Sequence, residues 1–395
     1  MAFGIYIHIP YCLQRCSYCD FATVGWGQSV PPQRYYELLR QELSLRAPLA
    51  PTTPSLVGPE FIVGILNEIR NHGFHLVPDV EITIEVNPAT IDLHQLALYQ
   101  RGGVNRFSVG AQTFSEVHLK KTGRHHSVAD TRETLRLLSA EKMIYSFDLL
   151  FGLPAQTLEE VRADVAEALS FAPDHLSAYC LTVDDKHPMA VGRADDDEQV
   201  QMFEMIQAEL QIANLIRYEI SNFAQPGHES RHNLLYWTDQ PYLGLGHSAH
   251  SYLPSAGRWG TRFWNASAIG EYARQVEAAH HKSAWPLVEL PSSQYEPLRL
   301  HQALTDFAHT SLRLMRGLRR DDLKRKFAPL VVAWMEQRLI EVTNEGLLIP
   351  TSSGYTLSRR GRVLSNLAFE RLTVLESDLS AVDNLNFAPI FETYD

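Results

Sequence analysis

Cysteine is scarce. The 395-residue chain has four, of which Cys12, Cys16 and Cys19 fall close together near the N-terminus while Cys180 stands alone. A secreted disulfide framework would spread an even number along the chain, so that class is excluded and the clustering points to a metal site in a reducing compartment. Long apolar runs are absent too: none approaches the roughly 18–20 residues that cross a bilayer. The first residues lack the basic, apolar and small-residue regions of a signal peptide. A cytoplasmic location is therefore expected, with no transmembrane segment and peripheral membrane association left open. Positive charge is in deficit, 35 Lys and Arg against 46 Asp and Glu, a net charge of −11 that argues against general nucleic-acid binding. With 45% hydrophobic and 21% charged residues, disorder is excluded as the main state, and the length suffices for two or three domains.

What is present is alternation. Gly4 to Pro10 (GIYIHIP), Val80 to Val86 (VEITIEV), Val104 to Val109, Ile144 to Phe151 and His175 to Val183 read as strands. Helical patterns separate them, over about Pro31 to Arg46 and Glu60 to His72, and again after Thr157, which has capping-box spacing to Glu160. Strands alternating with helices predict parallel βαβ units closed or partly closed as a barrel, with chemistry at the C-terminal strand ends. The notable polar residues lie there: the cysteines, Glu85 and Asn87, Gln112, and Asp148. Past Leu215 the alternation stops. A Gly-, His- and aromatic-rich stretch follows, then helices and a hairpin at Gly346 to Leu357 that suggest a winged-helix-like unit. The expected domains are 1–215, 216–296 and 297–395.

Cys12-x3-Cys16-x2-Cys19 puts three thiols on one short loop, and thiolates select zinc or iron–sulfur clusters. Zinc wants four ligands, and only His8 offers itself as a fourth, from a strand that would have to turn back. Three ligands suit a four-iron cluster with one iron open. Cys180, in the apolar run AYCLTV, reads as a core thiol.

On these residues, YIHIPYCLQRCSYCDF resembles the signature of radical S-adenosylmethionine (SAM) proteins, in the branch holding oxygen-independent coproporphyrinogen III oxidase and the HemW-type haem chaperones. The resemblance implies a partial (β/α)6 barrel, α/β in class, with a smaller C-terminal α+β region. It also implies a 4Fe–4S cluster on Cys12, Cys16 and Cys19 whose open iron meets SAM. SAM contacts are implied for Tyr6, Tyr18, Thr53, Glu85, Gln112, Arg124 and Asp148; read without the family, Arg124 and Asp148 could equally form a structural ion pair and Gln112 a strand-end cap. The chain departs from the family in one place. Where relatives have a strand and a GGGTPS motif, residues 47–56 read APLAPTTPSL, which keeps Thr53-Pro54-Ser55, loses the glycines and gains prolines that oppose a central strand. SAM binding is in question on that ground.

Two features separate the branches. The decarboxylating oxidase has an extra cysteine two positions after the last ligand and an N-terminal extension; this sequence has Phe21 there and eleven residues before Cys12. His232-Asn-Leu-Leu-Tyr236-Trp237 resembles the HNxxYW element linked to haem binding in the chaperones, an imidazole for iron with flat aromatic surface for a porphyrin. The resemblance thus implies a haem chaperone, with haem and acceptor haemoproteins as partners; the alternative is an oxidase that decarboxylates coproporphyrinogen. In GLGHSAHS, His250 is the position relatives share and His247 the less typical one. Arg313 to Lys326 carries seven basic and two acidic residues, which by default is a solvated face.

Overall fold

The alternating patterns fold as strands. The computed structural model describes residues 3–12, 15–25, 30–46, 59–279 and 294–379. Thr83–Val86, Arg106–Gln112, Ile144–Phe151 and His175–Cys180 run parallel in that order, and the sheet ends in two antiparallel strands, Asn222–Ala224 and Ile216–Arg217. The VEITIEV strand starts three residues later than its pattern. Asn105 takes the place of a ladder there: its side chain accepts from the Ile82 N–H at 2.9 Å and donates to the Val80 carbonyl at 2.7 Å. The next strand runs past Val109 through a bulge to Gln112, which sits in the left-handed region at φ 68°.

Gly4–Ile7 belongs to a second sheet. It pairs in parallel with Tyr242–Leu245, and antiparallel strands His250–Leu253, Thr261–Trp264 and Gln294–Pro297 follow. Among the described residues no strand joins Gly4–Ile7 to Thr83–Val86. Thr53 and the rest of segment 47–56 lie outside the described residues.

Helices cover the outer face, and their starts follow from local chemistry. Capping boxes at Asp92/Gln95, Ser127/Asp130, Thr157/Glu160 and Asp195/Glu198 satisfy first-turn N–H groups. The acidic run near Asp195 is thus a helix start, with Asp196, Asp197 and Glu198 at the positive end of the dipole. Phe107, Phe147 and Leu176 share one continuous core with Leu243, Phe263 and Tyr272 of the second sheet and its helix. A separate core gathers Leu304, Phe307, Leu323, Met335 and Tyr355 from the C-terminal helices and the three-stranded sheet of Leu318–Arg319, Gly354–Leu357 and Leu348–Pro350. No described helix is long and apolar enough to cross a membrane.

Candidate functional site

The cysteine loop follows the Gly4–Ile7 strand and is tied down from two sides. The Thr122 carbonyl accepts from the Ser17 N–H at 3.3 Å and from its hydroxyl at 3.2 Å. Next to it, Gly123 holds φ 75°, a conformation side chains rarely adopt, and its absent Cβ would lie 3.8 Å from the Cys16 Cα. On the other side, His187 Nδ1 accepts from the Met189 N–H at 3.1 Å. That leaves the proton on Nε2, which donates to the Ser17 carbonyl at 2.9 Å. The three thiols are half-buried and free of disulfides. Burial pushes the Cys19 thiol up, and the Cys16 and Cys12 thiols add to it against the Phe21 backbone and Arg15. Among the described residues no three His, Cys, Asp or Glu side chains are placed to hold a single metal ion. Three thiols within electrostatic reach on one anchored loop are a donor set that fits an iron–sulfur cluster. His8 is not turned toward them. Its Nε2 donates to the Ala22 carbonyl at 3.0 Å, its Nδ1 accepts from the Tyr6 hydroxyl at 3.0 Å, and its ring packs 4.9 Å from that of His247.

Inside the barrel, register aligns the polar residues. Glu85 pairs with Ser108, Ser108 with Ser146, and Asp148 with Ser177; Phe107, Phe147 and Leu176 point the other way into the core. Burial, then Glu85, raises the Asp148 carboxyl to about 7, although a hydrogen bond from Ser177 and the charge of Arg124 oppose it. Glu85 is also raised, by the protein around it, while its side chain stays solvent-accessible through the lumen. Burial and then Glu85 push the Tyr6 phenol up to about 12. Arg124 and Asp148 do not form a hydrogen-bonded pair. The guanidinium instead donates to Asn87 Oδ1 at 2.9 Å and to the Gly110 carbonyl, with Nη1 3.8 Å from Cys16 Sγ. Gly110 makes room for this: a Cβ there would lie 2.7 Å from Arg124 Nη2 and 3.0 Å from the Gln112 amide nitrogen. Tyr18 packs beside Leu150 and Leu181, and burial raises its phenol despite Arg124. Thus Tyr6, Tyr18, Glu85, Gln112, Arg124 and Asp148 come together around the cysteine loop. Ser177 and Tyr179 join them; the alternation of His175–Cys180 was the signal that puts both on the inner face.

The HNLLYW element forms the helix Arg231–Trp237, which approaches from the opposite, N-terminal end of the strands. Glu81, just before the Thr83–Val86 strand, accepts from the N–H groups of Arg231 and His232 at 3.3 and 3.4 Å. Leu235 and His232 lie against Gly4 of the other sheet, where a Cβ would meet Leu235 Cδ1 at 2.3 Å. The helix therefore touches the edge strand of one sheet at Gly4 and the approach to the edge strand of the other at Glu81. His232 stacks on Tyr6, ring centroids 6.0 Å apart, and hydrogen-bonds the Tyr236 hydroxyl through Nε2 at 2.7 Å. Burial lowers its pKa against the pull of Glu81, which favours the neutral imidazole that can ligate iron. Trp237 faces the other way, under the Arg313 guanidinium at 4.4 Å. Of the two histidines of GLGHSAHS, His247 is buried beside His8, while His250 is exposed and stacks on Trp264 at 5.5 Å. In register, Tyr6 pairs with Gly244 and His250 with Trp264, and the Tyr242–Tyr252 pairing sets His250 opposite Gly244, so His250 lies on the sheet face that carries Tyr6. Cys180 is half-buried and donates to Gln199 Oε1 at 3.0 Å.

An α/β barrel with three clustered cysteines after its first strand is the architecture of the Radical SAM superfamily, whose family model matches residues 6–168. The coproporphyrinogen III oxidase HemN of Escherichia coli, described as a radical SAM enzyme, shares the fold with TM-score 0.76 and 20% identity, covering 94% of this chain and 90% of that one. In sequence, the chain is 33% identical over 393 residues to the heme chaperone HemW of Mycobacterium tuberculosis, 94% of each protein. It is 30% identical over 386 residues to that of Bacillus subtilis, 92% of this chain and 97% of the relative. The chain belongs to the heme chaperone HemW family.

Proposed function

We propose that this protein is a haem chaperone that carries a 4Fe–4S cluster on Cys12, Cys16 and Cys19, meets SAM in the lumen and passes haem to acceptor haemoproteins. The family to which it belongs supports the cluster and SAM, and the names of its relatives support haem. The observation that carries the reading is the helix Arg231–Trp237: it holds a neutral, half-buried imidazole with two aromatic neighbours, Tyr6 and Tyr236, beside the first barrel strand. Haem contact is assigned to His232 and Tyr236 on one face of this helix and to Trp237 on the other. SAM contact is assigned to Tyr6, Tyr18, Glu85, Gln112, Arg124 and Asp148, with Thr53 from the segment outside the described residues.

A bound four-iron cluster supplies one-electron reducing power to the SAM sulfonium. The chain's own residues do the rest. Arg124, held by Asn87 and Gly110, sets a positive charge beside Cys16. Asp148 and Glu85 offer carboxyls for a cationic group, and Tyr6 links His232 to His8 across the lumen. The exposed Phe21 stands where the decarboxylating oxidase has a cysteine.

The test uses anaerobically reconstituted protein. Added haem is expected to give a Soret band that the His232→Ala variant loses. SAM is expected to change the electron paramagnetic resonance spectrum of the reduced cluster. Conversion of coproporphyrinogen III with no haem-dependent Soret band overturns the reading.

A further inference from the structure

The motif helix faces two ways, and its second face lines a cleft of about 470 Å³ that the lumen chemistry does not use. The cleft lies between Trp237–Gln240 and Pro254–Trp259 on one side and Arg316–Ala328 of the C-terminal region on the other. Its size is in the ordinary range for a small-molecule site.

The walls are flat and aromatic. Trp259 stacks on Phe327 with centroids 5.6 Å apart and planes at 25°, and Arg258 lies 5.1 Å over the Trp259 ring. Trp237 contributes a further indole ring to the wall, beneath the Arg313 guanidinium.

Charge in the lining is positive, and part of it is unspent. Lys326 is paired with both oxygens of Asp239 at 2.7 Å, and Arg325 with Asp322. Arg316 and Arg319 are exposed, line the cleft and make no ion pair among the described residues. In a chain of net charge −11, two unpaired guanidiniums beside stacked aromatic rings are a local inversion of the molecule's field. Guanidinium binds carboxylate through paired N–H donors, and aromatic faces bind planar π-systems.

We infer that this cleft binds the ring and carboxylates of a tetrapyrrole dicarboxylic acid, with Trp237 and Trp259 against the macrocycle and Arg316 and Arg319 on its carboxylates. The inference deepens the proposed haem-chaperone function and rests on it. It adds a site that needs no iron ligand, on the face of the motif helix opposite His232. The run Arg313 to Lys326 thereby gains a use beyond a solvated face.

The experiment titrates the full-length protein with metal-free protoporphyrin IX and follows quenching of tryptophan fluorescence. Binding is expected for the parent, with affinity reduced roughly tenfold or more in R316E/R319E. The charge-matched control R101E/R136E, on exposed positions outside the cleft, keeps parental affinity. The dimethyl ester of the porphyrin is expected to bind the parent as weakly as the diacid binds R316E/R319E. Equal affinity of parent and R316E/R319E, or of diacid and ester, overturns the cleft assignment while a haem Soret band dependent on His232 leaves the chaperone reading standing. Absence of both porphyrin quenching and a haem Soret band overturns the two together.

Discussion

Asp164 is a carboxyl whose surroundings disagree. It is 6% exposed, and it accepts from the Phe114 N–H at 2.8 Å and the Thr113 hydroxyl at 2.7 Å. Both bonds favour ionisation, yet burial wins and raises the group to about 6. Unfolded, it ionises near 4. The folded chain therefore holds the extra proton between those values, so its contribution to stability is full below pH 4 and declines as pH rises through 6. Asp164→Asn removes the titration. Urea midpoints across pH are expected to move in favour of the variant by about 2 kcal/mol between pH 4.5 and 7; a difference that stays constant with pH would show that Asp164 is ionised throughout. The same competition makes Asp148, Glu85 and Tyr6 reluctant to ionise in the lumen, and makes His8, His232 and His247 neutral.

The helix Arg231–Trp237 has seven residues, too few to persist alone in water. Its first-turn donors are met from outside: Glu81 takes the N–H groups of Arg231 and His232, and the Ser230 hydroxyl oxygen that of Asn233 at 3.3 Å. Glu81 itself is held by Arg106 at 3.3 Å. Removing that acceptor in Glu81→Ala is expected to speed amide hydrogen exchange in residues 231–237 about tenfold, a cost near that of one lost cap. Exchange in the strand Ile144–Phe151 should not change. If residues 231–237 exchange as slowly as before, Glu81 is not what fastens the helix.

Period-2 patterns and cysteine spacing made the barrel strands and the cluster loop legible, because both are written in consecutive residues. The motif HNLLYW was legible as a string but not as a position. Which side chain meets Tyr6 and which meets Arg313 depends on a helix lodged between two sheet edges, and on Gly4 having no side chain to block it. The contact of His247 with His8 was illegible for a similar reason: it is made through a turn held by Glu42, about two hundred residues away in sequence.

Glu42 shows how the molecule is held together at the largest scale. Fully buried on the helix Pro32–Arg46, it accepts from the Gly246 N–H at 2.8 Å, the Tyr272 hydroxyl at 2.7 Å, the Asn265 amide at 2.7 Å and Arg46 Nε at 2.8 Å. Apart from Arg46, those partners follow strands of the second sheet or lie on the helix Ile269–Ala278, so one carboxylate joins the two halves of the first core. Tyr35, on the same helix, donates to the His8 carbonyl at 2.9 Å and accepts from the His247 N–H at 3.0 Å, which carries the linkage to the lumen. A buried charge is tolerable only while every partner stays in place. Glu42→Leu leaves Arg46 charged, 2% exposed and bonded only to Asn265 Oδ1 at 2.9 Å, beneath the Phe263 ring. The loss in urea stability is expected to be about 3–5 kcal/mol. Removing the stranded charge as well, in E42L/R46M, should recover at least a third of it, because a hydrophobic pair avoids the desolvation that a lone guanidinium suffers. If the double variant is no more stable than Glu42→Leu, the cost lies in the lost acceptor for Gly246, Tyr272 and Asn265. Glu42 then acts as a hydrogen-bond hub between the halves and not as the counter-ion of Arg46.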